Sequence, residues 1–131
     1  MLSSGDLRCV AELMREVAAM ELLPKFRNLA EDEVRQKRPG DIVTVADVAS
    51  EQRLATGLAK ILPGVPVIGE EAVELEPRLV DLIARPGSCW IVDPLDGTAN
   101  FAAGRDRFAM IVCLVHDQET VAGWILDVPN D

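Results

Sequence analysis

Asp93 and Asp96 stand on either side of a forced bend in the stretch Trp90-Ile91-Val92-Asp93-Pro94-Leu95-Asp96-Gly97-Thr98-Ala99-Asn100-Phe101. Pro94 drives Asp93 into an extended conformation, which predicts that the strand entering at Trp90 to Val92 stops there. Gly97 admits a backbone geometry that other residues take only at a cost. Thr98 is suited to N-cap the next element. Two carboxylates and free backbone N–H groups at one bend suit a hard cation with a phosphate beside it. The same Asp-Pro-x-Asp-Gly chemistry also makes an ordinary turn, so the bend alone does not define a site.

Further acids lie upstream. Glu70 follows a short strand, Val65-Pro66-Val67-Ile68-Gly69. Thr44-x-x-Asp47 reads as a capping box with Asp in place of Glu. Each also has a structural reading: Asp47 as a helix N-terminal acid favoured by the dipole, and Glu70-Glu71 as the acidic first turn of a following helix. If the strands before Glu70 and Asp93 are neighbours, Glu70, Asp93 and Asp96 converge at one sheet edge. Converging carboxylates repel unless a cation holds them. Oxygen ligands with room for water and phosphate suit Mg²⁺. The run from Asp93 is not an EF-hand, because Pro94 and Leu95 interrupt it and Gly104 stands at its last position. No Gly-Lys-Ser/Thr phosphate loop occurs.

The elements that must hold these residues follow from periodicity. Leu7, Val10, Met14, Val17 and Ala18 share one helical face, predicting a helix from Asp6 to about Leu23, with Ser3 or Ser4 as cap and Pro24 as its end. The charged run Glu31 to Arg38, followed by Pro39-Gly40, reads as a loop. Within it, Lys37 and Arg38 read either as surface or as cover for a phosphate. A second helix runs from Thr44 or Val45 to Ile61, with Val48, Ala55, Leu58, Ala59 and Leu62 on its apolar side, and Pro63-Gly64 ends it. Pro77 to Ala84 makes a short helix with Leu79, Leu82 and Ile83 inward. Arg107 to Val115 and Thr120 to Val128 form an antiparallel hairpin about the acidic turn Asp117 to Glu119.

The 131 residues allow one domain with a real core, and 49% are hydrophobic, so the chain should be globular. A net charge of −9 excludes general attraction to nucleic acid or an anionic membrane. An anionic substrate would need a local positive device such as a bound metal. Cys9, Cys89 and Cys113 fit no metal-ligand spacing and read as buried free thiols in a reducing compartment. His116 reads as a surface residue at a strand end. No secretory signal is visible, and the longest apolar run, Phe108 to Val115, is too short to span a bilayer. A soluble, cytoplasmic protein is expected.

Taken together, the motifs resemble those of the inositol monophosphatase family of Mg²⁺-dependent, lithium-sensitive phosphatases. The Trp90 to Phe101 stretch is similar to that family's signature almost residue for residue. Gly69-Glu70-Glu71 and Lys37-x-x-x-Asp41-Ile42-Val43-Thr44-x-x-Asp47 match two upstream elements in the right order. The resemblance implies an α+β protein: a layered αβαβα sugar-phosphatase-type fold with mostly antiparallel sheet. It implies that Glu70, Asp93 and the Leu95 carbonyl hold a first Mg²⁺, and that Asp93 and Asp96 contribute to a second. Glu70 would reach a third ion through water. Gly97 and Thr98 would present N–H groups to the substrate phosphate, at a site shared with Glu70, Leu95 and Asp96. Thr98 and Asp47 would orient and deprotonate the attacking water, and Lys37 would shield the phosphate or a mobile metal loop. The implied partners are a small-molecule phosphate monoester and a second copy of the chain in a homodimer, with no nucleic acid and no membrane.

The resemblance spans residues 1–131 as the N-terminal portion of a single family domain. Family members carry a later Trp-Asp element whose Asp completes the second metal site, whereas here Trp124 is followed by Ile125. The expectation is therefore a piece of a larger protein that hydrolyses an inositol monophosphate or a related polyol or sugar phosphate. The alternatives are a histidinol phosphatase, a 3′(2′)-nucleotide phosphatase, or a truncated member that is catalytically weak and acts through binding.

Overall fold

The computed structural model describes residues 2–131. Helix α1, Ser4–Val17, starts on a complete capping box between Ser3 and Asp6. It continues through a wider turn, Ala18–Leu22, in which the Leu23 N–H bonds back to the Ala18 carbonyl. Its buried face is Val10, Met14, Val17, Ala18 and Leu22, and the chain leaves the helix just before Pro24.

The charged run that reads as a loop is instead half of a hairpin. Strand β1, Val34–Arg38, pairs antiparallel with β2, Asp41–Thr44, with Val34 opposite Thr44. No apolar alternation announces β1, because what holds it is backbone pairing and long-range ion pairs. Helix α2, Val45–Ile61, follows directly, and its N-cap is Thr44, whose hydroxyl accepts from the Ala46 and Asp47 N–H groups. Its buried face is Ala46, Asp47, Ser50, Glu51, Leu54 and Leu58. Of the apolar side expected from sequence, only Leu58 is fully buried. The helix turns a polar stripe inward, which hydrophobic periodicity does not register.

Strand β3, Val67–Gly69, runs straight into helix α3, Glu70–Leu75, and a 3₁₀ segment, Pro77–Ala84, comes next. Strand β4 spans Ser88–Asp96, so it does not stop at Asp93. Its register against β5 (Ala109–His116) shifts between Asp93, opposite Ile111, and Asp96, opposite Ala109. Pro94 is accommodated in that irregularity, where a missing N–H costs no ladder bond. Helix α4, Thr98–Ala102, and strand β6, Glu119–Leu126, complete the order.

The main sheet has the order β3-β4-β5-β6, with β3 and β4 parallel and the other pairs antiparallel. One face, with Trp90, Val92, Met110, Val112 and Leu114, packs on α1 and α2 to form the core. The other face, with Ile68, Cys89 and Val115, is covered by Val73, Leu82 and Ile83. The arrangement is α+β, as expected. Cys89 is buried, but Cys9 lies exposed on the outer side of α1, contrary to a uniform set of buried thiols. Among the described residues, no helix is long and apolar enough to cross a membrane.

Candidate active site

Gly69 and Val92 are register partners in the parallel β3–β4 pair. The next residue in each case is an acid, so Glu70, at the start of α3, and Asp93, within β4 just before its register shift, stand side by side. They line a cleft of about 260 Å³ together with Leu95, Asp96, Gly97 and Thr98, faced by Gly40 and Ile42 of the β1–β2 hairpin. Every bend residue expected to hold metal or phosphate reaches this cleft.

Gly97 makes the bend possible. Its φ of 94° lies in the left-handed region, and a Cβ there would sit 2.8 Å from the Arg107 carbonyl oxygen. Gly97 itself is the N-cap of α4, so Thr98 is the first helical residue rather than the cap. The Thr98 hydroxyl lies 2.9 Å from Asp47 Oδ1 and 3.0 Å from the Leu95 carbonyl oxygen. With one proton, it donates to one of them at a time.

Asp47 stands behind Thr98, 2% exposed. Its Oδ2 accepts from the Thr44 N–H at 2.8 Å and the Thr44 hydroxyl at 2.7 Å. Burial raises the pKa of Asp47 above the ordinary aspartate value, while its Thr44 and Thr98 donors oppose the rise. The capping-box reading and the catalytic reading are therefore compatible: Oδ2 caps α2 and Oδ1 reaches Thr98.

Glu70 and Asp93 are only partly compensated, Lys37 lying 3.7 Å from Glu70. Asp93 Oδ1 is buried with no hydrogen-bond partner. Burial and the charge of Asp96 push the Asp93 pKa upward. Burial and the charge of Asp93 raise Glu70 to about 7. Such a pair attracts a cation, and the donors present (two carboxylates, a third at Asp96 and the Leu95 carbonyl) are the oxygen set a hard divalent ion takes. Among the described residues, however, no group of three or more His, Cys, Asp or Glu side chains is arranged to hold a metal ion. The three carboxylates share a cleft without forming a closed ligand cage.

Lys37 is not on the surface and does not line the cleft. Its side chain is 3% exposed, bonded to Glu71 at 2.8 Å and 3.7 Å from Glu70. Burial opposes its charge, but Glu71, Glu70 and Glu74 outweigh it and raise its pKa. Beside it, Arg38 pairs with Glu74 and Asp41 at 2.7 Å each. Both basic residues fasten the hairpin to α3.

Sequence reading missed Glu51. Its carboxylate is buried on α2 and accepts from the N–H groups of Glu71 at 2.7 Å and Ala72 at 2.9 Å. The available signal was its spacing from Asp47, one helical turn earlier on the same face.

The model of the inositol monophosphatase family matches residues 6–131. The inositol-1-monophosphatase of Mycobacterium leprae is 37% identical over 132 residues, covering 94% of this chain and 45% of that protein. The corresponding enzyme of Caulobacter vibrioides is 35% identical, covering 82% and 40%. Among solved structures, the extragenic suppressor protein SuhB of Bartonella henselae superposes with a TM-score of 0.78 at 27% identity, over 98% of this chain and 46% of that one. A Staphylococcus aureus inositol monophosphatase-II with inositol monophosphate bound gives 0.68 at 25% identity, over 94% and 40%. The same protein with 2′-AMP bound gives 0.73 at 26%, over 98% and 42%. The chain thus spans less than half the length of these relatives.

Proposed function

Because the chain belongs to the inositol monophosphatase family, we propose that it carries the metal-binding and water-activating half of a Mg²⁺-dependent phosphomonoesterase site. The observation that carries this reading is the 2.9 Å hydrogen bond from Thr98 to buried Asp47, made where Thr98 lines the cleft beside Glu70 and Asp93.

Glu70, Asp93, Asp96 and the Leu95 carbonyl would hold the cation. Bound Mg²⁺ supplies charge neutralisation, polarisation of the phosphate and a lowered pKa for water. The chain's own residues then have defined tasks. The Gly97 and Thr98 N–H groups, at the start of α4, offer donors to phosphate oxygens. Thr98, when its proton is given to Asp47, leaves oxygen lone pairs open toward the cleft. A water attacking phosphorus passes a proton to Thr98 Oγ1 as the Thr98 proton moves onto Asp47 Oδ1. A buried acid with a raised pKa accepts that proton more readily than a solvated one. The phosphorus–ester oxygen bond breaks, and the leaving alkoxide takes a proton from solvent.

The substrate class is a small phosphate monoester. Relatives bound to inositol monophosphate and to 2′-AMP support a polyol phosphate first and a nucleotide phosphate second. A cytoplasmic homodimer belongs to the same proposal.

The test is phosphate release from myo-inositol 1-phosphate and from 2′-AMP, with and without Mg²⁺, in this chain and in one extended to its relatives' length. Mg²⁺-dependent release, lost on Asp93→Asn, is expected in the extended chain. No metal-dependent release from either ester there would overturn the reading.

A further inference from the structure

We propose that Glu51 is a positioning residue for Glu70, acting through the backbone of α3 rather than by touching metal or substrate. The proposal rests on the reading of Glu70 as a cation ligand.

Helix α3 is six residues long and begins on Gly69, which has no side chain to cap it. A helix this short holds few internal bonds, and its first N–H groups are without intrahelical acceptors. Glu51 supplies the missing acceptors from α2. Its Oε1 takes the Glu71 N–H and its Oε2 takes the Ala72 N–H. Both carboxylate oxygens are thus spent on α3, and each bond is charge-assisted.

The seat is tight as well as bonded. A Cβ on Gly69 would lie 2.2 Å from Glu51 Cδ and 2.5 Å from Oε1. The carboxylate therefore occupies the space a side chain at position 69 would fill, directly under the strand-to-helix junction. Glu70 is the residue at that junction, between β3 and the amides Glu51 holds. Its Cα–Cβ direction is set by where α3 starts and how it is tilted.

Helix α2 carries a second acid one turn away with the parallel task. Asp47 holds Thr98, beyond the β4 bend, at 2.9 Å. The two acids make α2 a common reference for both sides of the cleft, aligning Thr98 with one and Glu70 with the other. Glu51 lies outside the cleft, so nothing in the proposed chemistry uses it directly.

The experiment uses the full chain with Glu51→Gln, a near-isostere with one acceptor oxygen instead of two. Ser50→Ala is the control: Ser50 is the preceding buried residue of α2, and its hydroxyl has no partner. Two readouts are taken, amide hydrogen exchange at Glu71 and Ala72 and calorimetric titration with Mg²⁺. In E51Q, exchange at those amides should quicken at least ~10-fold and Mg²⁺ binding should weaken by about 10- to 100-fold, the usual effect of losing a residue that orients a ligand. S50A should change neither, and Glu51→Asp should restore neither, being too short to reach α3. Unaltered Mg²⁺ affinity in E51Q despite lost protection would overturn the proposal. If this chain takes up no Mg²⁺, the titration is made on the chain extended to its relatives' length, and no uptake there counts against the phosphatase reading. In either chain, unchanged protection at Glu71 and Ala72 in E51Q overturns the positioning role.

Discussion

Glu70 and Asp93 are adjacent because Gly69 and Val92, their predecessors, are paired across parallel strands. No loop brings them together; the register does, and a slip of one residue would send one acid to the opposite face. The pair holds repulsion that Lys37, 3.7 Å from Glu70, partly offsets.

Asp93→Asn should therefore separate stability from binding. It removes one of two like charges, so the melting temperature without divalent cations should hold or rise. The Mg²⁺-induced rise in melting temperature, which reports binding to the folded state, should vanish. Thermal melts across a Mg²⁺ series check this, and a mutant that still responds to Mg²⁺ like the parent sinks the ligand assignment.

The pH dependence has a definite sign. Glu70 moves from an ordinary value of 4.5 to about 7 in the folded chain, and Asp93 moves in the same direction. Between these values the folded state binds protons that the unfolded state has released. Without metal, this contribution to stability is present at low pH and is lost as pH rises from 4.5 through about 7. Mg²⁺ must displace the same protons, so its affinity should strengthen as pH rises through that window and level off above it. Mg²⁺ titrations from pH ~6 to ~8 that show a flat affinity would contradict the coupling.

Much of this site was legible because its signals are local. Pro94, Gly97 and Thr98 announce the bend, and Thr44 and Asp47 announce the helix start within four positions. The pairing of β3 with β4 could be posed only as a condition, since register is set by contacts distant in sequence. Three features stayed hidden for the same reason. Lys37 looks like a surface residue until Glu71 closes over it. Strand β1 lacks apolar alternation and owes its place to β2 and α3. Glu51 bonds to backbone amides twenty residues ahead, which carry no side-chain signature. Pro94 misled in the other direction: it favours a strand end, but the register shift absorbs it and the strand runs on to Asp96.

Lys37→Met tests the buried tether. Breaking a buried ion pair by removing one partner typically costs on the order of 3 kcal/mol, and Glu71 would be left 12% exposed and unpaired. Glu70 would also lose a cation that lowers its pKa. Denaturant unfolding should show the loss of stability, and Mg²⁺ binding at neutral pH should weaken in parallel. Full stability in K37M would mean that Glu71 finds another partner.

Asp47→Asn keeps the size of the side chain but not its acceptors. The aspartate receives three donors on two oxygens: the Thr44 N–H, the Thr44 hydroxyl and the Thr98 hydroxyl. An asparagine amide nitrogen accepts nothing, but facing Thr98 it can donate to that hydroxyl, which then turns its own proton to the Leu95 carbonyl 3.0 Å away, while the asparagine oxygen keeps both Thr44 donors, so stability should change little. The sharper expectation is chemical. A neutral amide at this position cannot take the Thr98 proton, so phosphate release by the extended chain should fall with little change in KM. A D47N variant with undiminished kcat would remove Asp47 from the proton path.

Gly97→Ala joins fold and site in one change. The left-handed conformation costs a Cβ-bearing residue about 1–2 kcal/mol, and the added methyl would meet the Arg107 carbonyl oxygen at 2.8 Å. That oxygen is backbone and already accepts from the Asn100 side chain, so it cannot give way without loosening α4. Relief must come from the bend itself, which carries the Leu95 carbonyl on one side and Thr98 on the other. G97A should therefore lose stability and stretch the Thr98–Asp47 bond together. The first is read by denaturant unfolding and the second by a crystal structure or by the Thr98 hydroxyl resonance. If the bend merely links two elements, the stability loss will appear with Thr98 still seated on Asp47, and Gly97 will then be a turn residue with no part in shaping the cleft.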